Sequence, residues 1–546
     1  MWGSGAQAVA LALEALGVDR VFTVPSVHNL AVLKVLHERG RISVCGARHE
    51  QGAVHAADGY ARATGRLGVA IVSTGPGTAN AMGGLYEAHF ASSPVLLLTT
   101  QIPTRYLGRG FGYIHEADRQ SDMLRTVCKQ VTLVERSQDL ADTVVEAGLA
   151  ARRGRPRPVA VEIPADLPDA SVLLDAERLA ETVAREPDPV GPSPDEIADA
   201  LAVLREARRP LIWSGGGVIH GDAAEELQRF ARAWQAPVLT SREGRGAIDE
   251  DDPLALGAVA TSAAMREFIA DSDVLLAVGS RFQQYPTGQW TLPWPERIVQ
   301  LDVDPLMIGR SFSPEVAVIA DARPGLAALA DGLGDLDEAA LSERTDRLNA
   351  GRAATEATRA EYAKRSGPDH RAIVESFNRH LPADTVVVRD PTVPATVWGE
   401  SLLRIHHPRT SIRGVSLGIG PALPLAIGAA LGSGRPTVAL HGDGGFMLSI
   451  GELAAAVQLQ APVVICLFND VGYQMLRNIE SGIGDGAHHD TELATPKFAE
   501  TARTFGARGV WVDSAEAFDQ ALGEALSATG PTLIEIDLSS LHPLDT

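Results

Sequence analysis

The chain has 546 residues, enough for three or four domains, and its 45% hydrophobic and 21% charged residues are ordinary for a soluble globular protein. A net charge of −21, spread along the chain, argues against a surface for nucleic acid or an anionic membrane. No apolar run approaches the roughly 20 residues of a membrane span. Met1 to Val18 reads as an Ala/Leu-rich amphipathic helix, without the basic start and clean apolar core of a signal peptide. The three cysteines, Cys45, Cys128 and Cys466, lie far apart and read as buried free thiols of a cytoplasmic protein.

Strand-like runs alternate with helical stretches from end to end, the pattern of α/β folds with parallel sheets. Two breaks interrupt it. Arg185 to Pro194 is polar and Pro-rich and reads as a linker. Glu338 to Asp369 is charged, Ala-rich and poor in large apolar residues, and reads as an exposed helical connector. The expected fold is α/β, with three doubly wound, mostly parallel-sheet domains over 1–184, 190–335 and 365–546. In the middle block, Leu211 to Gly217, Asp273 to Phe282 and Ile298 to Pro305 read as strand ends opening into loops of a Rossmann-like sheet. Its triplet Gly215-Gly216-Gly217 is not the GxGxxG of a dinucleotide site.

The last block holds the most telling pattern. Asp443 comes just after the apolar run Thr437 to Leu440, and Asp470 after Pro462 to Phe468. Between them, Ser449-Ile450-Gly451-Glu452 reads as a capping box opening a helix from Leu453 to Gln460. A parallel strand–helix–strand unit brings both acids to one sheet edge. Two carboxylates there, beside Gly442, Gly444 and Gly445, suit a hard divalent cation and a phosphate.

Asp443-Gly444-Gly445-Phe446, the second acid and then Val471-Gly472-Tyr473 resemble the thiamine diphosphate motif. A second match stands in the first block, where Arg48-His49-Glu50-Gln51-Gly52-Ala53 precedes Ser73-Thr74-Gly75-Pro76-Gly77-Thr78-Ala79-Asn80. That string resembles the pyrimidine-binding domain of the acetolactate synthase and benzoylformate decarboxylase group, and the middle block resembles the group's central domain. The resemblance implies a Mg²⁺ held by Asp443, Asp470 and the carbonyl of Gly472. Asp470 stands where the family usually has Asn. It implies that Glu50 protonates the aminopyrimidine ring, so that the neighbouring imino group can take the thiazolium proton. Ile419 is then the wedge that bends the cofactor, and the Leu417 carbonyl a partner of its amino nitrogen. Thr74, Pro76, Asn80, Thr392, Gly442, Gly444, Gly445, Tyr473 and Met475 complete the expected cofactor surface.

The expected partner of the cofactor is a 2-oxo acid or a hydroxyketone, decarboxylated or joined to a second carbonyl. The alternatives are an acyloin or 2-hydroxyacyl-CoA lyase on the same cofactor and, against intact Glu50, Asp443 and Asp470, a non-catalytic regulatory paralogue. The loop Gly108 to Glu116 should face the reacting carbon, with His115 as proton donor or orienter, and Gln474 is the other expected catalytic side chain. Met475 and Leu476 suit an apolar substrate. Ser481 to Thr491 is Gly-rich and reads as a lid that could carry His488 and His489 into the site. FAD is possible in the middle block but unsupported by any motif. The resemblance implies a homodimer or homotetramer with sites at the subunit interface, and neither nucleic acid nor membrane as partner.

Overall fold

In the computed structural model, which describes residues 1–335, 338–483 and 489–545, the alternating pattern folds into three six-stranded sheets. Every strand pair in them is parallel. Parallel strands need crossover helices on both faces, which is why the central strands Val95–Gln101 and Val274–Val278 are buried throughout and begin as apolar runs. The first sheet runs over strands from Arg20–Thr23 to Val159–Pro164, the second from Pro210–Ser214 to Val316–Ile319, and the third from Val386–Arg389 to Thr532–Asp537. With strands numbered in chain order within each sheet, the first and third share the order 2-1-3-4-6-5. The central sheet has the order 3-2-1-4-5-6, that of dinucleotide-binding folds. No described helix is long and apolar enough to cross a membrane.

Two expectations about local structure need correction. The N-terminal helix begins at Gly5, not Met1: the Ser4 hydroxyl accepts the Gln7 amide in a capping box, and Trp2–Ser4 pairs antiparallel with Ser171–Leu173. The connector is helical over Glu338–His380, with a break at Gly367 (φ 69°), but one of its faces is buried. Arg344 donates to the carbonyls of Trp234 and Ala207, and Arg347 to that of Phe268, so cations that look solvated in sequence pin the helix to helices of the central domain. Residues 185–193 do form an extended link between the helices Ala176–Ala184 and Pro194–Glu206.

The first and third sheets meet through the helices that follow their second strands, Glu50–Thr64 and Ala422–Ser433. These cross backbone to backbone. A Cβ on Gly59 would lie 2.0 Å from the Leu425 carbonyl oxygen, and one on Gly428 would lie 1.8 Å from that of Ala56. The crossing repeats in both helices: Glu50 precedes Gly59 by the same number of residues as Ile419 precedes Gly428. Overpacking such a contact typically costs about 1–3 kcal/mol or more. Gly428→Ala should therefore lower the denaturation midpoint sharply, whereas Gly482→Ala, in a helix with open space around it, should not; chemical denaturation followed by circular dichroism compares the two.

Candidate active site

The strands Thr437–Gly442 and Val463–Asn469 are hydrogen-bonded neighbours in register, with Gly442 opposite Phe468. Asp443 and Asp470 therefore leave the sheet side by side at its C-terminal edge, as the sequence implied. Asp443 is buried and accepts the Gly472 amide on Oδ2 at 2.8 Å. Oδ1 of Asp470 is buried without a hydrogen-bond partner among the described residues. Burial first, and then the Asp443 charge, push the Asp470 carboxyl up to about 7, while Arg477 opposes them. Asp443 is raised too, chiefly by burial. Arg477 itself donates to the backbone carbonyls of Asp470 and Val471 and so braces the turn from behind. Two close, desolvated carboxylates with an unpartnered oxygen fit an oxygen-seeking divalent cation.

The glycines of this edge are required by close neighbours. A Cβ on Gly444 would strike the Tyr473 ring at 2.4 Å, and one on Gly445 the Asp390 carboxylate at 2.3 Å. The Thr392 methyl lies 3.3 Å from the Cβ position of Gly442. Gly472 is boxed in by the Arg477 guanidinium and the Thr491 carbonyl. Asp390 accepts the amides of Gly420 and Ala422 at 2.9 and 3.1 Å, holding the loop that presents Leu417 and Ile419. Those two are 45% and 37% exposed, so Ile419 is available as a surface wedge and is not core. Leu417 holds a left-handed backbone (φ 64°), uncommon for a branched side chain.

Two of the expected residues follow the Asp470 turn, on the helix Gln474–Ile483. Met475 packs against the core behind the sheet, among residues such as Trp398 and Phe468. Gln474 is paired with Asn478 and Arg477. It lines a cavity of about 520 Å³ between Asp470 and the C-terminal segment Asp537 to Leu544. The expected capping box is also absent. Ser449 ends the helix Asp443–Ser449, and Glu452 opens the next, Glu452–Gln458, with no side-chain cap. The Glu452 carboxylate instead reaches the first domain, accepting the amides of Arg48 and His49 on Oε1 at 3.0 and 2.9 Å. Of the expected lid, residues 484–488, His488 among them, lie outside the described residues; the His489 amide donates to Glu480.

The first domain gathers a second cluster. Glu50 opens its helix behind the cap His49, and Asn80 donates to its Oε2 at 3.0 Å. Pro76 is exposed at the start of the helix Pro76–Ala91. Thr74 is buried, its hydroxyl spent on Gln120, so that it supports the loop from below. Ser73 bridges two imidazoles, its Oγ 3.3 Å from Nδ1 of both His115 and His28. The expected His115 is thus joined by His28, which sequence reasoning missed; its only signal was a histidine in the loop after the strand Arg20–Thr23. Burial and the neighbouring His115 lower the pKa of His28. A Cβ on Gly77 would touch both Ser73 and the Glu50 carboxylate, which places the histidine pair beside Glu50. No hydrogen bond or ion pair among the described residues joins Glu50 to Asp443 or Asp470.

A further concavity lies where the central strand order reverses, at the C-terminal ends of Pro210–Ser214 and Val274–Val278. Gly216, Gly217, Gly279, Arg155, Arg281 and Asp302 line it. Burial pushes Asp302 up to about 6.

Three family models match along the chain: the thiamine pyrophosphate enzyme N-terminal TPP binding domain over 3–123, the central domain over 197–329 and the C-terminal TPP binding domain over 394–536. A probable acetolactate synthase large subunit of Methanocaldococcus jannaschii is 31% identical, over 99% of this chain and 93% of its own length. A probable 2-ketoarginine decarboxylase, AruI, of Pseudomonas aeruginosa is 33% identical, over 97% and 93%. The acetolactate synthase large subunit of Parasynechococcus marenigrum is 31% identical, over 98% and 87%. With its three parallel sheets, its paired edge carboxylates and these matches, the chain belongs to the thiamine pyrophosphate enzymes, in the group that resembles acetolactate synthase.

Proposed function

We propose that the chain decarboxylates a 2-oxo acid, releasing the remaining acyl unit as an aldehyde or joining it to a second carbonyl, with thiamine diphosphate and Mg²⁺ as cofactors. The observation that carries this reading is the pair Asp443 and Asp470, the first buried and the second half-buried, with Oδ1 of Asp470 buried and unpartnered among the described residues. The bound cofactor supplies a carbon nucleophile and an electron sink. Asp443, Asp470 and the Gly472 carbonyl are the oxygens for the metal. Glu50, with one oxygen held by Asn80, is the proton-sharing partner of a ring nitrogen. Leu417 and Ile419 supply the apolar shelf. His28 and His115, linked through Ser73, are the groups that can hand a proton to the product. Leu476 and Ile479, both exposed, give the substrate an apolar wall, and exclusion of water there favours loss of CO₂.

Glu50 and the acid pair stand in separate clusters, each edged by exposed apolar side chains: Val27 and Ile114 by the first, Leu417, Leu448 and Leu476 by the second. Such patches mark contact surfaces. This supports a homodimer or homotetramer in which Glu50 of one copy completes the site of another. The central concavity is where FAD or another nucleotide would sit, and the colour of the purified protein tests for a flavin.

Glu50→Gln should lower turnover by about 10²–10⁴-fold while thiamine diphosphate still binds, as read by circular dichroism. Unchanged turnover would remove Glu50 from the chemistry. A panel of 2-oxo acids and hydroxyketones, scored for CO₂ and product, separates decarboxylase, carboligase and lyase; acetolactate from pyruvate would give the narrow activity. In metal-free protein, Asp470 binds its proton more tightly folded than unfolded, so its ionisation costs stability progressively as pH rises from 3.8 towards about 7. Asp470→Asn should therefore raise the melting temperature of the metal-free protein at pH 7, with the gain vanishing near pH 4, and should weaken Mg²⁺ binding.

A further inference from the structure

The two clusters are built on equivalent segments of two sheets with the same strand order. Glu50 follows the second strand of the first sheet, Ser43–Gly46; Leu417 and Ile419 follow the second strand of the third, Ser411–Arg413. Directly before each lies a pair of consecutive backbone amides, and each pair is taken by a carboxylate of the opposite domain. Glu452 accepts from Arg48 and His49 at 3.0 and 2.9 Å. Glu87 accepts from Val415 and Ser416 at 2.7 and 2.9 Å. Both carboxylates are almost wholly buried, at 4% and 2% exposure. Both come from helices that follow the third strand of their sheet, Glu87 in Pro76–Ala91 and Glu452 in Glu452–Gln458.

Both contacts cross from one domain to the other. The four amides have no other partner among the described hydrogen bonds, and a buried amide left unpaired is costly. The two ends differ in support. Arg62 donates to Glu87 at 2.7 Å, is itself paired with Asp58, and donates as well to the Arg413 carbonyl just upstream of the loop. Among the described residues Glu452 receives no hydrogen bond from a cationic side chain, since the Arg48 guanidinium turns to Gln458 and the Ala454 carbonyl. Gly52 exists to admit it: a Cβ there would lie 2.3 Å from Glu452 Oε1.

We propose that Glu452 and Glu87 are positioning residues forming a reciprocal clasp: Glu452 fixes the segment that aims Glu50, and Glu87 the loop that presents Leu417 and Ile419. Each domain thereby sets the reach of the other's contribution before any cofactor binds. The inference rests on the reading of Glu50 and Ile419 as cofactor-facing, so its test is made first on cofactor-free protein. Hydrogen exchange of backbone amides, followed by mass spectrometry, should show residues 47–51 opening at least about tenfold faster in Glu452→Ala, the equivalent of one charge-assisted bond. Residues 413–418 should be unchanged. Glu87→Ala should do the reverse, and Glu452→Gln, which keeps the volume and one acceptor oxygen, should restore most of the protection if the alanine variant folds poorly. Equal acceleration of both segments, or of neither, would overturn the clasp. On the loaded enzyme, Glu452→Ala should slow exchange of the cofactor's thiazolium proton about tenfold with little change in cofactor affinity. Normal proton exchange alongside a locally opened segment would overturn Glu452 as a positioning residue, whereas Glu50→Gln, which removes the carboxylate itself, tests the role of Glu50.

Discussion

Everything that places the two clusters depends on how closely the helices Glu50–Thr64 and Ala422–Ser433 approach. Their backbones touch at Gly59 and Gly428, with carbonyls of the opposite helix where Cβ atoms would stand. At ordinary helix spacing, about 8–10 Å, the carboxylates of Glu87 and Glu452 would not reach backbone amides across the domain boundary. Small residues at the crossing thus convert a packing contact into a set of interdomain hydrogen bonds. The same geometry explains why the buried ions Arg62, Asp58 and Glu87 sit together at this seam: the short approach excludes water, and a buried charge is tolerated only when paired.

Much of this was legible in the sequence because it is local. The alternation of strands and helices, the Pro-rich link and the acids at strand ends all follow from periodicity and turn residues within a few positions. Asp443, Asp470 and Gly472 meet because adjacent parallel strands in register leave no other arrangement. The readings that failed were those in which a side chain serves a distant partner. Ser449 and Glu452 have the spacing of a cap, yet the glutamate is drawn to amides some 400 residues away in the chain. Arg344 and Arg347 look like solvent-facing charges of a connector and are spent on carbonyls of the central domain. His28 was invisible because nothing in its neighbourhood says that a loop nearly 90 residues on will bring His115 beside it.

The N-terminal and C-terminal domains divide the chemistry by polarity. Acid, amide and imidazole groups gather around Glu50, whereas the third domain carries the paired carboxylates Asp443 and Asp470 at its sheet edge and the exposed apolar Leu417 and Ile419 on a loop. The central domain carries arginines and an acid with a raised pKa at its own crevice, separate from both.

The equal spacing of Glu50 from Gly59 and of Ile419 from Gly428 gives the protein an internal ruler. In each half the ruler ends at one side chain of contrasting kind, charged in one and greasy in the other. Inserting or deleting a single residue within Glu50–Gly59 would rotate Glu50 by about 100° around its helix, and the same change before Gly428 would shift the loop that carries Ile419 along the start of the helix Ala422–Ser433, so the two intervals should tolerate substitution far better than any change in length.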